Sequence, residues 1–343
     1  MNTGALLVLG CVAAMAACWV LFGRVLRVAI GTALVRSKLA KLHDAAGLVC
    51  RSVSLPDGTV AWIRERAASP DNEDPPLLSL PGATTDIDFI GARLSSLAQA
   101  LPGRRIVIVE LPYHGRNTPQ PPDFSDPEPS FSGLVSYVET VREALGMDGP
   151  LDLLGYSLGG GLAARYAVDH GDRLRRLVLL APFFYEASSD AFTDAFERAD
   201  WRSIHGWETF DEMLHFYQRW LGMPSDDAPP RFVLEALHAL RTERYPPGYW
   251  SAFFLASDAA NTASRTLLTD RAADFAALDV PTLVVTAAQD AVCDPAKLAG
   301  LPERLGAANW TVTEVNSGHL FAGSPTQTLF DVGLNDLKAF LQG

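Results

Sequence analysis

The chain has 343 residues, 48% of them hydrophobic and 20% charged, which suffices for the core of one large domain and argues against disorder. The formal charge is −12, but residues 1–48 carry five basic side chains against one acid, so the other 295 residues are net −16, a surface that repels phosphate backbones and excludes nucleic acid as a partner. Four cysteines, two of them (Cys11 and Cys18) in the apolar N-terminal stretch, exclude a disulfide framework, and no Cys/His spacing indicates a metal, so neither metal nor cofactor is expected.

From Gly4 to Gly23, twenty residues run without a charge, about the length that crosses a hydrocarbon core of roughly 30 Å as a helix. A transmembrane anchor is expected rather than a cleaved signal peptide, which would place basic residues ahead of a shorter apolar core, or a buried core helix. Arg24, Arg27, Arg36, Lys38 and Lys41 all follow this run and no Lys or Arg precedes it. By the positive-inside rule the amino terminus is then translocated and the rest of the chain is cytoplasmic. The basic segment mixes these charges with Leu26, Ile30 and Leu34, as a helix lying at a headgroup surface or a solvated connector would.

Residues 48–66 read as a hairpin about Pro56-Asp57-Gly58. Strands at 76–82, 105–112, 151–157 and 175–182 then alternate with helices near 87–101 and 132–145. The alternation stops for about ninety residues and resumes with strands at 281–290 and 310–319 and a helix near 325–341. Continuous apolar strands between helices predict a mostly parallel central sheet with helices on both faces. Residues 119–130 are a proline-rich loop. The expected organisation is therefore an anchor and basic segment over 1–48 and one α/β domain over 49–343, with a helical cap at 183–272 inserted after the sixth strand.

Gly155-Tyr156-Ser157-Leu158-Gly159 is a G-x-S-x-G sequence between a strand and a helix, the context of a nucleophile elbow. Its glycines permit a sharp turn that presents the hydroxyl at the carboxyl edge of the sheet, and the helix N-terminus brings N–H groups toward an attacked carbonyl. The competing reading is a structural turn. A serine nucleophile needs a base, and the base needs an orienting acid. Among seven histidines, His319 follows a late strand in a glycine-bearing turn, whereas His43, His170, His205, His215 and His238 fall in helical or connecting segments. Asp290, at the exit of the 281–290 strand, is the favoured acid, with Asp294 as the alternative. The Pro81-Gly82-Ala83 turn either aims the Ala83 N–H at the point faced by the Leu158 N–H, forming an oxyanion hole, or is an ordinary turn.

With "SLPGATT", "ELPYHGRN", "GYSLGGG", "TAAQDAVCDP" and "NSGHLF", the chain resembles the α/β-hydrolases over roughly residues 50–343, and among them the membrane-anchored, monoacylglycerol-lipase-like serine hydrolases. That resemblance implies an α/β-hydrolase fold, a Ser157, Asp290, His319 triad, and oxyanion N–H groups on Ala83 and Leu158. Three positions depart from the family pattern: Pro81 stands where many members have His, Ala287 where the acid loop usually has Gly, and Tyr113-His114 interrupts the usual Asp-x-x-Gly-x-Gly. His114 falls near the expected mouth, where either substrate contact or a structural role is open.

The 183–272 insertion is rich in large apolar side chains, and Thr209-Phe210-Asp211-Glu212 reads as a capping box opening a helix with Phe210 and Tyr217 on one face. Such a stripe is ordinarily core. A cap over Ser157 must nevertheless line the acyl site in part, and Tyr156, His114, Phe183, Phe184, Phe210 and Tyr217 are the expected substrate contacts. The expected activity is hydrolysis of a lipophilic carboxylic ester at a membrane, a monoacylglycerol or similar. A carbon–carbon bond hydrolase and a catalytically silent ligand-binding relative are the alternatives.

Overall fold

The apolar runs pair into one sheet. The computed structural model describes residues 3–117, 123–124, 129–222, 229–261, 265–321 and 333–343, with the side chains of residues 3–22 and 24 outside that description. Among the described residues eight strands form the sheet: β1 (Val49–Ser54), β2 (Val60–Arg66), β3 (Leu77–Leu80), β4 (Ile106–Val109), β5 (Leu151–Tyr156), β6 (Leu174–Leu180), β7 (Thr282–Ala287) and β8 (Trp310–Val315). Their spatial order is β1-β2-β4-β3-β5-β6-β7-β8. The β1–β2 hairpin adds antiparallel to β4, and every later pairing is parallel.

Every residue of β3, β4, β5 and β7 is buried, as strands covered by helices on both faces require. β5 lies between β3 and β6, with Gly155 opposite Leu80 on one side and Leu179 on the other. The loops leaving β3, β5, β7 and β8 at their carboxyl ends therefore converge, where ligands bind in open α/β sheets. Among the described residues six non-glycine residues have φ between 38° and 69°, and five of them (Thr84, Tyr113, Ser157, Ala181 and Phe321) lie in loops beyond carboxyl strand ends. Backbone strain is thus concentrated at that edge.

At the opposite end of β5, the carboxylate of fully buried Asp152 accepts from buried Arg104 and, at 2.5–2.8 Å, from Arg175. Asp152→Ala should cost about 3–5 kcal/mol, because the buried Arg104 guanidinium loses its counter-charge inside the protein and Arg175 loses its partner nearer the surface. Urea denaturation of the two proteins measures the difference, and an unchanged midpoint would show that the cluster contributes nothing.

One expectation needs correction. The single helix near 87–101 is two, Ile87–Arg93 and Ser95–Ala100, joined at Leu94. The last helix is Leu334–Gln342, and residues 325–332 of the expected span lie outside the described residues, as do 119–122 and 125–128 of the proline-rich loop.

The N-terminal helix runs unbroken over Thr3–Ala46, beyond the apolar run. Side chains of that run through residue 22 lie outside the described residues, among which no helix is long and apolar enough to cross a membrane. One face of the helix's second half packs on the helix Arg231–Arg244, so closely that a Cβ on Gly31 would stand 2.6 Å from the Phe232 carbonyl oxygen. Leu26, Ile30 and Leu34 remain about half exposed.

Between β6 and β7 the chain forms helices instead of strands, from Asp190–Glu197 to Ala272–Ala277. Thr209 and Glu212 form the expected capping box at the start of the helix Phe210–Arg219.

Candidate active site

Ser157 follows β5 with φ 52° and ψ −118°, a turn forced by the tight passage from strand to the helix Leu158–His170. The glycines flanking it have steric reasons. A Cβ on Gly155 would stand 2.1 Å from the Gly159 carbonyl oxygen, and one on Gly159 would stand 2.3 Å from that of Leu80. The turn is held by the Ser157 carbonyl, which accepts from the N–H groups of Gly160, Gly161 and Phe183 at 2.8, 3.1 and 2.9 Å.

His319, in the loop after β8, is 2.9 Å from Ser157 Oγ through Nε2 and 2.7 Å from Asp290 Oδ2 through Nδ1. An ionised carboxylate only accepts, so the ring proton sits on Nδ1 and Nε2 is left to accept from the serine hydroxyl. Asp290 is fixed in turn, because its Oδ1 accepts from the N–H groups of Val292 and Cys293 at 2.8 and 2.9 Å. Asp294 instead caps the helix Pro295–Ala299, accepting from the Ala296 and Lys297 N–H groups. Tyr156 lies behind the site and donates its hydroxyl to the His319 carbonyl at 3.0 Å.

Ala83 and Leu158 line the same cavity as Ser157. Among the described residues, no acceptor is assigned to either N–H. The neighbouring Thr84 N–H is bound, at 3.1 Å, to Nε2 of His114. The His114 ring donates Nδ1–H to the Pro112 carbonyl at 2.8 Å and is fully buried. His114 is therefore a brace beneath the Ala83 turn and does not line the cavity. Burial pushes its pKa down to about 4.

That geometry gives a prediction. His114→Phe should leave the Thr84 N–H unpaired, cost about 1–3 kcal/mol and lower turnover without abolishing it. The lowered folded pKa means that the unfolded chain binds more protons between about 6.5 and 4, so His114 makes the fold less stable as pH falls through that range. In the variant this part of the slope should flatten in pH-dependent thermal unfolding, and an identical slope would contradict it.

The cavity above Ser157 opens to solvent and spans about 870 Å³ when the open space at its mouth is included. Of the expected substrate contacts, Phe183 and Phe184 line it, whereas Tyr156, Phe210 and Tyr217 do not. Phe210, on the same buried helix face as Met213 and Phe216, packs instead against the Arg231 guanidinium and the His238 ring. The walls include Phe131 from the helix Phe131–Ala144, Phe192, Trp201, and the Phe253–Phe254 pair of the helix Tyr249–Ala260. Sequence reasoning named none of these as a substrate contact, and for Phe253 and Phe254 the dense aromatic "YWSAFF" was the available signal. It also passed over His205, a cavity residue whose Nδ1 has no hydrogen-bond partner and whose pKa burial pushes well below the usual histidine value.

Asp290, Cys293 and His319 bring ligand-type atoms within 4.8 Å of one another. Burial, the larger cause, and the Asp290 charge push the Cys293 thiol well up, and it donates to the Ala181 carbonyl at 3.4 Å. Protonated Cys293 and the mutually bonded His319 and Asp290 are poor metal ligands as they stand.

A family model described as the alpha/beta hydrolase fold matches residues 75–322. The chain belongs to the α/β-hydrolase fold family. It is 32% identical over 136 residues to a human (lyso)-N-acylphosphatidylethanolamine lipase, a match covering 39% of this chain, and it spans 38% of that relative's length. Among solved structures it is similar to a membrane phospholipase A described as a bacterial virulence factor, at TM-score 0.67 and 22% identity over 100% of this chain and 99% of the other. An esterase of Exiguobacterium antarcticum aligns at TM-score 0.59 and 16% identity over 86% and 97% of the two chains.

Proposed function

We propose that this α/β-hydrolase is a serine carboxylic ester hydrolase acting on lipid-like esters, monoacylglycerols or similar, with Ser157, His319 and Asp290 as its triad. The observation that carries the reading is the chain of two short hydrogen bonds from Asp290 through His319 to Ser157, at the foot of an aromatic-walled cavity. In this reading Ser157 Oγ attacks the ester carbonyl while its proton passes to His319 Nε2. The Ala83 and Leu158 N–H groups stabilise the oxyanion, and the imidazolium then protonates the departing alcohol. A water that gives its proton to His319 attacks the acyl-enzyme, releasing the carboxylic acid and restoring Ser157. The related human lipase supports a lipid-like substrate.

The N-terminal segment serves in this reading as a membrane anchor. Its support is the twenty-residue uncharged run and the basic residues that follow it, beside exposed Leu26, Ile30 and Leu34. The catalytic domain is then cytoplasmic, with the cavity served from the inner leaflet. Hydrolysis rates across monoacyl esters of graded chain length test the substrate class. kcat/KM should rise with acyl length as more methylenes enter the cavity, and a preference for acetyl esters would contradict it.

A further inference from the structure

Beside Ser157 the buried lining of the cavity is apolar, and its partly exposed rim is polar. Phe192, Trp201, Ile204 and Phe253 are buried, whereas Asp258, Asn261 and Arg265 are only partly so. Arg265 is the one Lys or Arg that lines this cavity among the described residues, and its side chain is 33% exposed. Its guanidinium lies over the rings of Tyr185 and Phe196, 5.1 and 5.9 Å from their centroids, and Nη2 donates to Asp258 Oδ1 at 2.5 Å. Of the other two nitrogens, Nε is buried without a partner and closed to a ligand, whereas Nη1 donates to no described residue. Asn261, by contrast, is engaged with the backbone of Phe131, Pro129 and Ser257.

An arginine held flat by rings and one carboxylate, with donors left over, is preorganised for an oxyanion. The chain around it repels free anions, so an anion reaches this rim most readily when an attached acyl chain is drawn between the aromatic walls. We propose that Arg265 is the head-group recognition residue of the cavity, binding the phosphate of an ester whose alcohol carries a phosphodiester, a lysophospholipid. This rests on the ester-hydrolase reading above, and it adds the class of leaving group. Asp258 acts as a positioning residue that fixes the guanidinium plane.

The test compares three substrates of one acyl length: a monoacylglycerol, a monoacyl-glycerophosphoethanolamine and a monoacyl-glycerophosphoglycerol. In the full-length protein Arg265→Gln should lower the kcat/KM ratio of each phosphodiester to the monoacylglycerol by about tenfold to a hundredfold, the range for one charge-assisted hydrogen bond, and mostly through KM. Arg265→Lys, which keeps the charge and the Asp258 pair but loses the planar fork, should recover part of the ratio. Circular dichroism and fluorophosphonate labelling establish that each variant is folded, and if only Arg265→Lys folds, a lowered ratio in it alone supports the assignment. Equal losses on all three esters would make Arg265 a brace of the cap and overturn the proposal while leaving the hydrolase reading intact. Failure of the wild-type protein to cleave any of them would overturn both.

Discussion

Ser157→Ala should lower kcat for ester hydrolysis by about a millionfold, the scale seen when a serine nucleophile is removed from a hydrogen-bonded triad. The loss is chemical. The Ser157 hydroxyl is bonded to His319 Nε2, and alanine tolerates the elbow's backbone about as well as serine does. The variant should keep the wild-type circular dichroism spectrum. His319→Ala should cost about as much, and the double variant should be no slower than either single one, because nucleophile and base act on the same step. Additive losses, measured on a soluble ester with excess pure enzyme, would mean that the two residues work independently and that the hydrogen bond between them is incidental.

Asp290→Asn is the second large effect, a fall in kcat of about ten-thousandfold. An amide at this position can donate to Nδ1, which places the ring proton on Nε2, where it can no longer accept from Ser157. The Val292 and Cys293 N–H groups can still bond the amide oxygen, so the loop should hold its shape. Asp294→Asn should leave kcat near the wild-type value, because Asp294 caps a helix and asparagine caps nearly as well. A reversal of the two results would move the acid four residues along the chain.

The parts of this fold that were legible in the sequence are those governed by local pattern. "RIVIVELP" and "LDLLGYS" read as strands because strands buried on both faces are continuously apolar, and β4 and β5 lie inside those runs. Thr209 and Glu212 read as a helix start because a capping box is a contact between residues three apart. Ser157 was legible because an elbow between strand and helix needs glycines at fixed offsets. The break at Leu94 was not, since nothing in the apolar spacing of 87–101 marks it.

Contacts made across the chain were legible only as far as chain order allowed. His319 and Asp290 were singled out by the strands they follow, but His114 showed nothing of its role, because its partner Thr84 lies 30 residues away. The cavity walls were hardest to foresee. Phe210 and Tyr217 share a helix with Phe216, and only the packing of that helix against its neighbours decides which ring meets which surface. Phe253 and Phe254 are adjacent in sequence, and both line the cavity together with Ser257, Asp258 and Asn261 at the end of the same helix, Tyr249–Ala260, and just past it.

The most direct measurement is the site of covalent modification by a fluorophosphonate, mapped by mass spectrometry on the pure full-length protein. The wild-type protein should carry one adduct, on the peptide containing Ser157, and neither Ser157→Ala nor His319→Ala should be labelled at a comparable rate. An adduct on another residue, or a folded wild-type protein that takes none, would contradict the assignment of Ser157 as the nucleophile of this chain.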